Sequence, residues 1–270
     1  MKSYDCIIVG SGIAGLYIAH LVKGRVLVLT KKSIHDCNTM HAQGGIAAPI
    51  GEGDSAELYF RDTINAGAGL CNERVVKILV EEAADRIKDL IEMGVPFDSD
   101  TANESIVLTR EGGHSVPRVL HAGGDATGEH IERALSKDIP DNVDIMEHCP
   151  VTEIMVRDNR VQGVRAKGLT FGCRYLVLAT GGAGQLFSRT TNPEIATGEG
   201  VALAFRAGAE ITDMEFFQFH PTALHLPGTQ PFLISEAMRG EGGILLNAHG
   251  DRFTHNELAP RDVVTRSIVM

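Results

Sequence analysis

What this sequence lacks narrows the field before any motif is read. It has no unbroken apolar run of about 18 residues, so no membrane-spanning helix is predicted. Its N-terminus shows no basic region followed by a long apolar one, and Asp5 with the glycines after it breaks the pattern of a signal peptide. Lys and Arg number 25 against 35 Asp and Glu, a net charge of −10. With no basic run and no aromatic-interleaved basic patch, nucleic acid and anionic membrane surfaces are excluded as partners. The five cysteines (Cys6, Cys37, Cys71, Cys149, Cys173) are odd in number and never spaced CxxC. That argues against a disulfide framework and against a zinc site, and for reduced thiols in the cytoplasm; no metal is expected. Internal repeats and low-complexity tracts are also missing. At 270 residues and 43% hydrophobic, the chain has material for one large domain or two modest ones.

What is present is organised around Tyr4 to Gly15, YDCIIVGSGIAG. Cys6, Ile7, Ile8 and Val9 form an apolar run too short for a helix core and suited to a buried parallel strand. Gly10, Gly12 and Gly15 follow as GxGxxG, and a helical pattern starts at once with Ile13, Leu16, Ile18 and Leu21, with Gly24 as its stop. Gly10 permits the tight turn, Gly12 lets the backbone approach a pyrophosphate, and Gly15 lets the helix lie close on the strand. The helix amides and dipole then hold the phosphates, so the stretch reads as a dinucleotide site. Arg25–Leu29 is the second parallel strand. The acidic residue that often ends it to hold a ribose is missing, since Thr30, Lys31 and Lys32 stand there. This weakens a simple NAD reading more than a flavin one.

Residues 37–54 are small, polar and glycine-rich, either a surface excursion or backbone laid against a flat ligand, with Gln43, Gly44 and Gly45 offering bare amides. Asp54-Ser55-Ala56-Glu57 resembles a capping box for a helix to Gly67. Asn72 caps a helix to about Met93 whose apolar face is Val76, Leu79, Val80, Ala83, Ile87 and Leu90. Residues 108–128 carry Arg110, Glu111, His114, Arg118, His121 and Asp125 among glycine pairs, either a solvated face or a loop folded against something; a helix follows near Glu129–Leu135. Val143–Met146, Val151–Val156 and Val161–Ala166 read as strands with a turn at Asp158-Asn159. Arg174–Ala179 returns to a buried parallel strand, and a helix from Glu199 to Ala207 stops at Gly208. After Asp213 the texture changes, with aromatics and histidines in EFFQFHPTALHLPG, and the last helix has no stop signal before Met270.

Taken together these motifs resemble the flavoproteins of the fumarate reductase, succinate dehydrogenase and L-aspartate oxidase family, most closely its L-aspartate oxidase branch. They are GSGIAG (10–15), AQGGIAA (42–48), LTREGGHS (108–115), HAGGDATG (121–128), ATGGAGQLFSRTTNPEIATGEG (179–200), FQFHPT (217–222), SEAMRGEGG (235–243) and LAPRDVV (258–264), in family order. The resemblance implies an α/β fold: a Rossmann-like parallel sheet with a β-meander that binds FAD, and the start of an α+β capping domain. Residues 1–213 would be the first FAD-binding segment and 214–270 the beginning of the cap. The return segment, and a further carboxylate-binding histidine and arginine, would lie beyond Met270, so these 270 residues are expected not to suffice for turnover.

The resemblance further implies that Gly10, Ser11, Gly12, Ala14, Gly15, Lys31, Asn38, Thr39, Gln43, Gly44, Gly45, Ala179, Thr180 and Gly181 hold FAD. Family members that bond the flavin covalently do so through a histidine where this sequence has Asn38, which implies noncovalent FAD. Glu111 matches the residue placed near a substrate amine, which suits an ammonium-bearing diacid and not succinate. His220 and Ser235 would bind a substrate carboxylate, and Arg261 matches the arginine that carries a proton when fumarate is reduced. Without the resemblance, Glu111 would be a surface charge, His220 a core histidine, and Arg261 half of an Arg-Asp pair. His225, His249 and His255 are taken as surface residues. The implied activity is oxidation of L-aspartate to iminoaspartate with oxygen or fumarate as acceptor, the first step of NAD biosynthesis, with quinolinate synthase as a partner. The alternatives are a fumarate reductase or succinate dehydrogenase flavoprotein subunit, and an inactive FAD-binding fragment.

Overall fold

The computed structural model describes residues 2–100, 105–229 and 231–270. In chain order the elements are β1 (Lys2–Val9), α1 (Ile13–Leu21), β2 (Val26–Leu29), β3 (Ile46–Ala47), α2 (Ala56–Ala66), α3 (Glu73–Glu92), β4 (Leu108–Thr109) and β5 (Val119–Leu120). Then come α4 (Thr127–Lys137), β6 (Val143–Met146), β7 (Val151–Arg157), β8 (Arg160–Ala166), β9 (Leu169–Leu178) and α5 (Glu199–Arg206). The last are β10 (Ala223–Leu224), β11 (Phe232–Leu233), α6 (Ala237–Gly240) and α7 (Arg261–Val269). The chain divides into two compact units, one of residues 1–42 with 131–215 and the other of residues 43–130 with 216–270.

The first unit is built on a six-stranded sheet in the order β6-β2-β1-β9-β8-β7. β6, β2, β1 and β9 run parallel, and β8 and β7 complete the sheet antiparallel. Side chains alternate across a strand, and the two core clusters divide by that rule. Ile7, Val9, Leu27 and Leu29 point to the face shared with Val164 and Phe171, while Cys6, Ile8, Val26 and Val28 meet Ala19 of α1. Every side chain of β2 is buried, as a strand covered on both faces requires, and each full burial contributes about 1.5–3 kcal/mol. The β7–β8 turn takes Asp158 and Asn159 through positive φ (50° and 56°), the geometry that fits the twist of a two-residue hairpin. β9 extends the expected parallel strand back to Leu169, because its first half pairs with β8 and its second with β1. It is also less buried than expected: Tyr175 is 58% exposed.

The second unit shows where local reading fell short. Both polar, glycine-rich loops contribute strands, β3 from the first and β4 and β5 from the second, joined as β3-β5-β4. The α2 cap is Ser55, whose hydroxyl accepts from the Leu58 amide at 3.1 Å. Asp54 is not the cap, because Arg118 takes both its oxygens at 2.8 and 3.0 Å. Asn72 caps α3 as expected, and Val76, Val80, Ile87 and Leu90 are buried, but Leu79 is 53% exposed. Among the described residues no helix is long and apolar enough to cross a membrane, and no group of three or more metal-ligating side chains is present.

Candidate functional site

In the first unit β1 delivers the chain to the glycine turn and α1 leaves it. Gly10 has φ +112°, and a Cβ there would lie 2.1 Å from the Ala179 carbonyl oxygen at the end of β9, so only glycine fits. A Cβ on Gly15 would stand 2.0 Å from the Gly10 carbonyl oxygen, so α1 packs straight onto the turn. Gly12 begins the helix with no side-chain cap, and there is no acid in the first turn. That leaves the positive end of the helix facing a cavity of about 310 Å³, the arrangement suited to a phosphate.

The cavity is lined by the turn from Val9 to Ala14, by Leu29, Thr30 and Lys31 at the end of β2, and by Asp36 to Thr39. Cys149 to Val151, Leu178 to Gly181, Ile195, Thr197 to Gly200 and Leu203 complete it. Ser11, buried, donates to the Ile34 carbonyl at 2.7 Å, and Thr39 accepts from the Ile13 amide at 3.0 Å. Lys31 reaches Glu199 at 2.9 Å and Thr197 at 3.1 Å. A carboxylate from the first turn of α5 thus stands beside the end of β2. Glu199 stood in a quoted motif but was read there only as the start of a helix; its approach to Lys31 is a long-range pairing that no local pattern carries. A bare turn, a helix start without a cap from its own Gly12, and a cation beside a carboxylate fit a dinucleotide. Of the residues predicted to hold the cofactor, Gly10, Ser11, Gly12, Ala14, Lys31, Asn38, Thr39, Ala179, Thr180 and Gly181 line this cavity, with Gly15 packed behind the turn. Gln43, Gly44 and Gly45 belong to the second unit, where a Cβ on Gly45 would meet the Leu120 carbonyl oxygen at 2.3 Å and Gln43 Oε1 is buried without a partner.

The four residues predicted to act on substrate all lie in the second unit. Their organiser is Glu236, 5% exposed, which the sequence reading passed over. Its Oε1 accepts from the Gly112 amide at 2.7 Å and its Oε2 from Arg261 Nε at 2.8 Å, with Arg239 Nη2 at 3.5 Å. Burial alone would raise its pKa, but the Arg261 hydrogen bond and both guanidinium charges outweigh it and hold the carboxyl below its usual range. Arg261 also donates to Gln218 Oε1 at 3.1 Å. It therefore does not pair with Asp262, which takes Arg266 instead. Arg239 is buried, its own pKa lowered by that burial, and anchored on the Glu257 carbonyl.

Glu111 follows β4 in the hairpin to β5 and stands 3.7 Å from His121 Nε2. Its Oε1 is buried with no hydrogen-bond partner. Burial, then the charge of Glu236, push its pKa up against the pull of His121, Arg261 and Arg239. His220 is half-buried, its pKa lowered by burial and by Arg261; its Nδ1 lies 2.9 Å from the Thr222 carbonyl oxygen and 3.3 Å from the Thr222 amide. Ser235, buried, lines a second cavity of about 310 Å³ with Thr109, His121, Asp98 and Met238. The arrangement offers a largely buried carboxylate with one oxygen free of hydrogen bonds, a cation–anion–cation row, and hydroxyl and imidazole groups, a set that suits an ammonium-bearing diacid. His225, His249 and His255 are exposed.

A family model described as FAD binding domain matches residues 5–270. An L-aspartate oxidase of Streptomyces coelicolor is 46% identical, the match covering 98% of this chain and 49% of that protein. One of Synechocystis sp. is 44% identical over 99% of this chain and 50% of the relative. Among solved structures, a mutant of E. coli quinol fumarate reductase FrdA superposes with a TM-score of 0.92 at 32% identity, over 100% of this chain and 51% of that one. The chain spans about half the length of the curated relatives it matches. It belongs to the family of FAD-binding domains.

Proposed function

We propose that the polypeptide carrying this chain is an L-aspartate oxidase, converting L-aspartate to iminoaspartate with oxygen or fumarate as the acceptor, as the first step of NAD biosynthesis. The observation that carries this reading is Glu111: a buried carboxylate with an unpartnered oxygen beside a row of guanidinium groups. A site for a plain diacid gains nothing from a third carboxylate, whereas a site for an amino diacid needs one.

FAD, when bound, supplies the two-electron acceptor. Noncovalent attachment follows from Asn38, whose amide side chain cannot take the place of a bonding histidine. The amino end of α1 and the bare Gly10–Gly12 backbone hold the pyrophosphate, and Glu199 takes the ribose hydroxyls that an acid at the end of β2 holds in other dinucleotide folds. Glu111 binds the substrate ammonium and accepts its proton, its carboxyl made a stronger base than an ordinary glutamate by burial and by the charge of Glu236. His220 donates from Nδ1 to the Thr222 carbonyl oxygen, which fixes the ring, and presents Nε2 to a substrate carboxylate, to which it donates as the imidazolium. Ser235 supplies a hydroxyl donor. Arg261 stays protonated; it orients the diacid, and Glu236 and Arg239 behind it offer a route for a proton when the reaction runs as fumarate reduction. Residues 1–213 act as the first FAD-binding segment and 214–270 as the start of the cap. Cytoplasmic location and hand-over of the unstable imine to quinolinate synthase complete the reading.

The test uses the polypeptide expressed from its own reading frame and loaded with FAD. Yellow cofactor freed on acid denaturation and peroxide made from L-aspartate, with none from succinate, are the expected results. Flavin that stays on the denatured chain together with succinate oxidation would replace this reading by the fumarate reductase or succinate dehydrogenase one.

A further inference from the structure

Glu132 is a carboxylate with no evident employment. It lies midway along α4 in the first unit, with 0% of its surface exposed, and neither carboxyl oxygen has a conventional hydrogen-bond partner. A buried acid left in this state is costly, and an isosteric amide or an apolar side chain would fill the same space. Its polar neighbour is the thiol of Cys37, a weak donor. Burial pushes Glu132 up to about 7. Burial and then the charge of Glu132 push Cys37 up to about 12, so the thiol stays protonated.

The position of this pair gives it meaning. Cys37 is part of the wall of the dinucleotide cavity, and a Cβ on Gly12 would lie 3.8 Å from the Cys37 Cβ. Glu132 therefore sits one side chain behind the glycine turn that receives the pyrophosphate, whose two negative charges do not titrate near neutral pH. Two like charges so placed across a dry wall repel strongly, and the carboxyl escapes by taking a proton. The charged groups on the cavity wall do not provide that escape. Asp36, held down by hydrogen bonds from Ser33, stays ionised, and Lys31 is committed to Glu199. His20 of α1 meets the Leu135 carbonyl oxygen one turn further along α4, and His35 lies in the Cys37 loop.

We propose that Glu132 is a proton-binding residue of the cofactor site: FAD binding draws one proton onto its carboxyl, and removal of that proton loosens the cofactor. The inference rests on the reading that FAD occupies the glycine turn.

The experiment is a fluorescence titration of the chain with FAD from pH 6 to pH 8.5, a range in which FAD keeps its charge. With a free-state value of about 7, the Kd should rise about tenfold between pH 6 and pH 8. Glu132→Gln should bind with a Kd that varies less than about twofold across the range and stays near the wild-type value at pH 6. Cys37→Ala removes the donor that favours the ionised form, so the midpoint of the wild-type curve should move to higher pH. Calorimetry at pH 7 in two buffers of different ionisation enthalpy should register proton uptake by the wild type and none by Glu132→Gln. A flat wild-type profile, an undiminished slope in Glu132→Gln, or an unmoved midpoint in Cys37→Ala (decisive even if Glu132→Gln does not fold) overturns the inference. Absence of FAD binding at pH 6 removes the seat on the glycine turn and this inference with it. Tight binding at all pH values removes the inference alone.

Discussion

Arg118→Met should be among the most damaging single changes in the second unit. The guanidinium is fully buried and donates from Nε and Nη2 to the two Asp54 oxygens at 3.0 and 2.8 Å and from Nη1 to Asp62 at 2.8 Å. It also lies 4.7 Å over the Tyr59 ring. The side chains of Asp54 and Asp62 are 1% and 13% exposed, so methionine fills the space and leaves two carboxylates without their cation. Breaking a buried pair in this way costs about 3–5 kcal/mol. Replacing all three, as R118M/D54N/D62N, removes the stranded charge and should return most of that loss. Urea denaturation followed by far-UV circular dichroism reads both variants, and a deficit of that size lowers the midpoint by more than about 1 M. Acid supplies a second check. Burial pushes Asp62 up, but the Ser115 amide and hydroxyl and then Arg118 outweigh it, so its folded pKa is depressed. Its contribution is therefore present above the ordinary aspartate value and lost as pH falls through the folded one, and the gap between wild type and R118M should narrow below about pH 4. A loss under about 1 kcal/mol in R118M, or a triple variant no better than the single one, would refute the assignment of this energy to uncompensated charge.

Other outcomes follow from the same geometry. Glu132 rises from an ordinary 4.5 to about 7 in the fold, so wild-type stability should fall by about 3 kcal/mol as pH climbs between those values and then level off; E132Q, followed by thermal melts at pH 5 and pH 8, should abolish that slope. Gly10→Ala puts a Cβ where the Ala179 carbonyl oxygen stands and should eliminate FAD retention on gel filtration; a yellow G10A protein would contradict the close approach. Glu111→Gln should lower kcat/KM for L-aspartate by about 10²–10³ while leaving fumarate reduction within a few-fold, measured on the reconstituted polypeptide. Because the Glu111 carboxyl is shifted up, the wild-type rate should rise with pH along a limb above the usual carboxylate range, and a limb that persists in E111Q would assign it to another group.

The first unit could be read along the sequence because its signals are local. Cys6–Val9, the three glycines and the helix from Ile13 are consecutive, and the register of β1 on β2 and β9 needs only parallel strands of matching length. What escaped was long-range. Ser55 and Asp54 are both good caps, and the choice fell to Ser55 because Arg118, far along the chain, claims Asp54. Leu79 has the right spacing for a buried face, but α3 packs along a narrower stripe than its apolar pattern suggests. Glu236 and Arg239 sat in a quoted motif without a role, since a glutamate three residues before an arginine usually describes a helix surface; only the fold shows Gly112 and Arg261 closing on the carboxylate. Strands β3, β4 and β5 are two residues each, too short for any alternation to register.

β9 is shared by two partners, parallel to β1 and antiparallel to β8, and its last carbonyls close over Gly10. During synthesis the glycine turn emerges early, yet one side of its nest is made by a strand from the far half of the chain. A nascent polypeptide halted before Leu169 would carry the recognisable motif and still have nothing to hold a nucleotide against, so loading with cofactor is a late event on the ribosome's clock.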